Sequence, residues 1–558
     1  MTDMRKLNIL VFLSLITLSL QAQFVNNGAT VTIQSGATLR VETDFTNMSG
    51  TINNNGTIEV SGNFTNNNLA LLATTGNLKF IKVTGSPTNV TLNTGNQQLN
   101  NVEMAKTSTD TVTLAAAATI LGDLSFTGGK VFLGGFDLTL GDTSVVNTPG
   151  AAGYVVTNGM GRLIKTNLGS LVPPNTTFTY PVAFDGGTYN PITITENGTV
   201  DNIGVRVLER AYENGANGTH IASEVVDASW VITEATGGGS NLTITPQWLT
   251  GDEMPSFTRG DCGVAKYIGP TYDLLLAGMG AASGAGTIAT PYARQRIGVT
   301  PGTFVVGDDK VMDYVAVSPK VFLHGAYGFS TNSTGLMSDN LRLFLPTTEP
   351  YTGYTNFTYL GRGSGETVNP SAFAVTGNDA IVDWVFIQVR NTISPYMVVA
   401  TKSAFLQRDG DIVDTDGGPV KIRGIVSGTY KVAVRHRNHL GILTDDNQSL
   451  SSTTTALDFT NSTTPEPVLG GLTAMNYVAL GTNPAYVMIP GDGNANEQVT
   501  ASDNVAIWRP SNTQFVSLAN YLTNVGKADF NLSGSVTATD NIQMWRPNNS
   551  KLQSFPNN

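Results

Sequence analysis

Two stretches near the C-terminus carry oxygen-bearing side chains at the spacing of a calcium loop. The first runs Asp492-Gly493-Asn494-Ala495-Asn496-Glu497-Gln498-Val499-Thr500-Ala501-Ser502-Asp503. The second runs Asp529-Phe530-Asn531-Leu532-Ser533-Gly534-Ser535-Val536-Thr537-Ala538-Thr539-Asp540. Ca²⁺ is a hard cation that takes six to eight oxygens, and loop positions 1, 3, 5, 7, 9 and 12 present them. In the first loop these are Asp492, Asn494, Asn496, the Gln498 carbonyl and Asp503. In the second they are Asp529, Asn531, Ser533, the Ser535 carbonyl and Asp540. Thr500 and Thr537 hold position 9, where a water often intervenes. Gly534 at position 6 permits a sharp turn that Glu497 resists, so the second loop is expected to be the stronger. Val499 and Val536 are expected to pair the loops or enter a small core. Asp503 and Asp540 each open a short helix, carrying Trp508 or Trp545 and ended by Pro510 or Pro547.

This duplicated loop resembles the dockerin module of bacterial cell-surface and polysaccharide-degrading assemblies, a small α-helical unit of EF-hand type. The resemblance covers residues 488–556 and implies Ca²⁺ as the cofactor and a cohesin-like partner. Dockerins grip cohesin with longer helices than Pro510 and Pro547 allow here. A calcium-stabilised cap with no partner is the other reading.

Other chemistry-bearing clusters read as structure. Asp409, Asp411, Asp414 and Asp416 could gather a cation, but Asp409-Gly410 favours a tight hairpin, which would scatter their directions. His436 and His439 lie after a strand, where a spacing of three points them to opposite faces. A polar cluster pairing with the acidic hairpin is expected there rather than a metal or acid/base site. Arg259-Gly260-Asp261 matches an integrin-type tripeptide and is read as a turn. Cys262, the only cysteine, is read as a small buried residue. There is no His-Glu-x-x-His, phosphate loop or Gly-x-Ser-x-Gly. The chain is therefore read as non-catalytic, although two carboxylates brought together from distant segments would leave no motif.

The elements that must position these residues read as β structure. Gly is 60 of 558 residues and charged residues are only 13%, which suits short strands with tight turns rather than helical bundles. Residues 24–145 repeat crudely: Gly36 to Val41 against Gly56 to Val60, then Phe45-Thr46-Asn47 against Phe64-Thr65-Asn66. A period near 20 with Asn and Gly corners points to a β-solenoid of about six coils; a sandwich of repetitive hairpins is the alternative. Residues 150–312 and 313–445 read as two β-sandwich-like domains, with Trp230 and Trp248 as core. The second, from Val382-Asp383-Trp384 through Gly428-Thr429-Tyr430 to Leu440, resembles a prealbumin-like (Ig-like) module of exported, adhesin-like proteins of Bacteroidetes. Residues 446–485 read as a Ser/Thr/Pro-containing linker and 486–558 as the calcium module. Helix is expected only in the leader and that module.

Residues 1–22 read as a signal peptide: Arg5 and Lys6, an apolar run from Leu7 to Leu20, and Ala22 before the cut. No other run is long and apolar enough to span a membrane. The net charge of −11 argues against a nucleic-acid partner. The expectation is a secreted or cell-surface protein of adhesion or extracellular binding, with a glycan or matrix ligand. The alternative is an accessory component or enzyme of extracellular polysaccharide degradation docked through the C-terminal module.

Overall fold

The computed structural model describes residues 23–67, 71–172, 174–328 and 334–556; the expected leader, residues 1–22, lies outside them. The chain is mainly β, with 42% strand against 11% helix. It divides into two compact units, one of residues up to Tyr212 with Val226–Glu253 and Ala282–Phe304, the other of Glu213–Val225, Met254–Ala281 and Val305 onward.

The first unit begins as a β-solenoid of about six turns. Its strands stack in parallel because each turn places the same residue type over the last. Phe24, Phe45 and Phe64 are in register, and their rings stack at 4.7 and 4.8 Å. Two residues on, Asn26, Asn47 and Asn66 form a buried amide ladder, each amide donating to the next at 2.8 and 2.7 Å. Identical in-register side chains satisfy one another in this way. A second face aligns Ile58, Leu78, Val102 and Leu124, and beside them Val60, Phe80, Met104 and Phe126. All eight are buried, as the period-2 alternation requires.

Parallel pairing continues past residue 145, to Val155–Val156 on Val182–Ala183. The strand Leu163–Leu168 then pairs antiparallel with Asp201–Leu208, and that with Ser229–Glu234. Such a switch ends the stack without leaving a parallel edge open. Thr177–Tyr180, Ile192–Glu196 and Leu242–Trp248 form a further antiparallel sheet. Trp230 and Trp248 are fully buried core, as expected.

The second unit is built on an antiparallel sheet in the order Ile412–Val413, Val398–Gln407, Ile381–Arg390, Gly428–His436, His439–Leu443. Ile381–Arg390 is buried at every position, so both its faces are covered. A smaller sheet holds Tyr314–Lys320 between Val420–Arg423 and Thr455–Asp458. The span expected as a linker, 446–485, contains Thr455–Asp458 and the hairpin strand Asn476–Leu480, and buries Leu457, Phe459, Val468 and Met475. One core runs from Val315 through Trp384 and Val434 to Leu532 and Val536. Helix is not confined to the C-terminus: His324–Gly328 makes one α-turn. That turn is close-packed, because a side-chain carbon at Gly325 would lie 2.3 Å from the Phe530 carbonyl oxygen.

Candidate metal centre

The two C-terminal loops fold alike, position by position. In the first, the Asp492 carboxylate accepts from the Asn496 and Glu497 N–H groups, both at 3.0 Å. Asp503 accepts from the Asn494 N–H at 3.1 Å and the Thr500 N–H at 2.8 Å. In the second, Asp529 accepts from Ser533 and Gly534 at 2.9 and 2.8 Å. Asp540 accepts from Asn531 and Thr537 at 3.0 and 2.8 Å. Each loop thus curls around a pair of carboxylates from its first and last residues. The Asn494 and Asn531 side-chain oxygens turn inward at position 3 to accept from positions 5, both at 3.1 Å. Asn496 accepts from the Gln498 N–H at 3.2 Å, and the Ser533 hydroxyl lies 3.1 Å from the Ser535 carbonyl. The structure therefore brings together all ten residues read from the sequence, five per loop.

Asp492, Asp503, Asp529 and Asp540 are buried, and no ion pair to any of them is seen among the described residues. Burial, then the Asp503 charge, pushes the Asp492 carboxyl up to about 8. Burial, then the Asp540 charge, likewise pushes Asp529 up, and burial pushes Asp540 up. Facing buried carboxylates are costly without a cation between them. Each loop supplies two carboxylates, and the described residues hold no group of three Asp, Glu, His or Cys placed to hold a metal. The remaining ligands would be amide, hydroxyl and carbonyl oxygens, which suit a hard cation and not zinc or copper.

Position 6 behaves as its residue types require. Gly534 has φ +84° and Glu497 has φ +74°, so Glu497 sits in a left-handed conformation that costs a non-glycine residue about 1 kcal/mol or more. Burial raises the Glu497 carboxyl, and the nearby charges of the buried Arg435 and Arg390 offset this only in part. Both guanidiniums are lowered to about 10, chiefly by burial.

Neither Val499 nor Val536 pairs with the other loop's valine. Val499 exchanges backbone bonds with Ser550 and Lys551, after the second helix; Val536 does so with Thr513 and Gln514, after the first. The Trp508 indole N–H donates to the Thr537 carbonyl at 2.9 Å, and Trp545 to Thr500 at 2.8 Å. These reciprocal bonds lock the two halves together. The helices contain i→i+5 turns over Asp503–Trp508 and Asp540–Trp545. Pro510 has no N–H for the Ala506 carbonyl, and the Asn524 amide takes that carbonyl at 3.3 Å.

Behind the second loop lies a buried network that sequence motifs do not reveal. Asp383, fully buried, accepts from Arg437 at 2.8 Å, from His436 at 3.2 Å and from the Tyr521 hydroxyl. Burial opposes its charge, but Arg437, His436 and Tyr521 together outweigh it and hold the carboxyl at about 2. Arg437 also donates to the Gly526 carbonyl, and Asn438 donates to the carbonyls of Lys527 and Asp529 at 3.2 and 2.9 Å. His436 and His439 do not point apart. They flank the tight turn at Arg437-Asn438, pair across the hairpin, and meet at 3.1 Å between Nδ1 atoms. His436 pairs with Asp383 and not with the acidic hairpin, and His439 meets the Asn438 side-chain oxygen at 2.8 Å. The hairpin carboxylates scatter as expected: Asp411 to Lys320, Asp414 to Lys402, Asp416 onto the Gly418 N–H. Asp261 of the Arg-Gly-Asp turn pairs with Arg362 at 2.6 Å, and Cys262 is buried.

Three histidines are held neutral here. Burial, aided by Lys551, lowers His324 to about 4, and burial lowers His436 and His439 as well. The Asn476 amide donates to His324 Nδ1 at 2.9 Å, so protonating that nitrogen would set donor against donor. A folded pKa below the unfolded value of about 6.5 means the unfolded chain binds more protons between the two. Stability is therefore intact above about pH 6.5 and falls as pH drops toward 4. Denaturant unfolding in saturating Ca²⁺ should show His324→Asn with a shallower fall, by up to about 1.4 kcal/mol per pH unit. Parallel curves for the two proteins would refute this.

No family model matches the sequence, and no curated protein or solved structure is similar to it.

Proposed function

We propose that the chain is a non-catalytic extracellular binding protein whose C-terminal segment closes around two calcium ions in dockerin-like loops. The supporting observation is the doubled loop, in which each first and last aspartate is buried, facing its partner carboxylate and capped by backbone N–H groups. Asp492, Asn494, Asn496, Gln498 and Asp503 would hold one ion, and Asp529, Asn531, Ser533, Ser535 and Asp540 the other. Bound calcium would neutralise the carboxylates and fix both loops. On this reading the protein is exported through its N-terminal leader, the solenoid is a rigid stalk, and the antiparallel sheets are sandwich-like binding domains. Docking to a cohesin-like partner finds support in Val505 and Ile542, which occupy equivalent helix positions and are 53% and 52% exposed.

Calcium titration of the chelator-stripped full chain should give two ions per molecule. Asp529→Asn should remove the tighter site and Asp492→Asn the weaker, because Glu497 must hold a strained turn where Gly534 does not. A chain that binds no calcium would sink the reading. A chain in which Asp492→Asn does the greater damage would sink only the account of position 6.

A further inference from the structure

The second unit holds a cleft of about 330 Å³ that none of the chemistry above uses. Lys310, Lys421 and Arg423 line it, with Asn214, Thr271 and Tyr314 among its other walls. Its one carboxylate is Glu213. A chain of net charge −11 has few cations to spare, yet these three pair with no carboxylate among the described residues.

Two of them are also held in place. Lys421 and Arg423 alternate on the strand Val420–Arg423 and so share a face, and Arg423 lies directly across from Tyr314. The Lys421 ammonium and the Arg423 guanidinium sit 5.7 and 5.5 Å from the Tyr314 ring centre. Ring and strand together orient both charges before any ligand arrives. An adjoining cleft of about 320 Å³ shares these three cations but is rich in carboxylates: Glu224, Asp309, Glu366, Asp414 and Asp416. There Arg362 pairs with Asp261 and Asp309, and Lys402 with Glu366 and Asp414.

We propose that the first of these clefts binds an anionic saccharide, a sulfated or carboxylated sugar whose acidic group seats among Lys310, Lys421 and Arg423. Guanidinium and ammonium groups make charge-assisted bonds to sulfate or carboxylate oxygens. Asn214 and Thr271 offer neutral donors and acceptors for sugar hydroxyls. The volume falls at the small end for ligand pockets and suits one or two rings. The neutral Asn214 and Thr271 beside the cations favour a saccharide over an acidic peptide. The proposal deepens the extracellular binding reading and rests on it for the setting, whereas the calcium titration tests that reading by itself.

Titration calorimetry on the calcium-loaded full chain would use a κ-carrageenan tetrasaccharide (sulfated), tetragalacturonate (carboxylated), neutral cellotetraose and a tetraglutamate peptide. At least one acidic saccharide should bind one to one, more weakly as salt rises, and cellotetraose should not bind. Which acidic saccharide binds distinguishes sulfate from carboxylate recognition. Lys421→Gln/Arg423→Gln should weaken binding about tenfold or more, and Lys310→Gln, in an exposed turn, should weaken it less. Unchanged melting and calcium stoichiometry would show that the variants fold. Failure of both acidic saccharides, equal affinity in the double variant, or equally tight binding of tetraglutamate would each overturn the proposal. Saccharide binding that persists in a chain taking up no calcium would overturn the calcium reading alone.

Discussion

Stripping calcium from the full chain should lower the melting temperature of its second unit by about 10 °C or more. A ligand that binds only the folded state stabilises it by RT ln(1 + [L]/Kd), about 2.7 kcal/mol per site at a hundredfold excess over Kd. Two such sites give about 5 kcal/mol, and a domain of this size shifts by about 2–4 °C for each kcal/mol. The direction follows from burial. Asp492, Asp503, Asp529 and Asp540 are withdrawn from water, and without a cation each pair must either repel or take up protons. The effect should extend beyond the loops, because Leu532 and Val536 belong to the same core as Trp384 and Val434. Scanning calorimetry in calcium and in chelator checks it, with magnesium as the control for ionic strength. Superimposable calcium and chelator traces would remove calcium from the account of this fold.

What the sequence made legible is what is local or repeated. The Phe-Thr-Asn repeats register as stacked rings and an amide ladder because a solenoid sets identical residues one turn apart. The spacing within each twelve-residue loop marks ten candidate ligands, and the two loops fold alike because a loop fixes its own geometry. What stayed hidden depends on distant chain segments. Asp383 meets Arg437 and Tyr521 only once the sheet has formed, and no local pattern marks a carboxylate for that role. Strand alternation puts His436 and His439 on opposite faces, and it fails when a tight turn folds the chain back between them. Residues 446–485 are Ser/Thr-rich enough to read as a linker, yet sparse residues such as Leu457, Phe459 and Val468 suffice to seat them in the core. Glu497 shows a different limit. Judged within its loop it is a poor choice at position 6, and only the folded unit brings the charges of Arg435 and Arg390 to bear on its carboxylate.

Asp383→Asn should destabilise the second unit by about 3–5 kcal/mol, the cost of leaving a buried cation uncompensated. Arg437 is fully buried and its charge is balanced chiefly by Asp383, which accepts from it at 2.8 Å. The asparagine keeps the shape and an acceptor oxygen but removes the charge that offsets the desolvated guanidinium. It also sets an amide where His436 and Tyr521 now donate, so donors would face donors. The damage should reach the second calcium loop, because the same hairpin turn holds that loop through Asn438 on the Asp529 carbonyl at 2.9 Å. Calcium affinity should therefore fall at the Asp529 loop and change little at the Asp492 loop. Arg437→Met alone should be comparably damaging, since it leaves Asp383 buried and charged. Asp383→Asn combined with Arg437→Met should be less destabilising than the sum of the two, by a coupling energy of about 1–3 kcal/mol. Urea unfolding of the four proteins in saturating calcium measures that coupling, and strict additivity would mean the two residues act independently. If Asp383→Asn unfolds the chain altogether, Tyr521→Phe offers a milder probe. It removes one donor to Asp383 and should cost about 1 kcal/mol while leaving the Asp383–Arg437 ion pair in place.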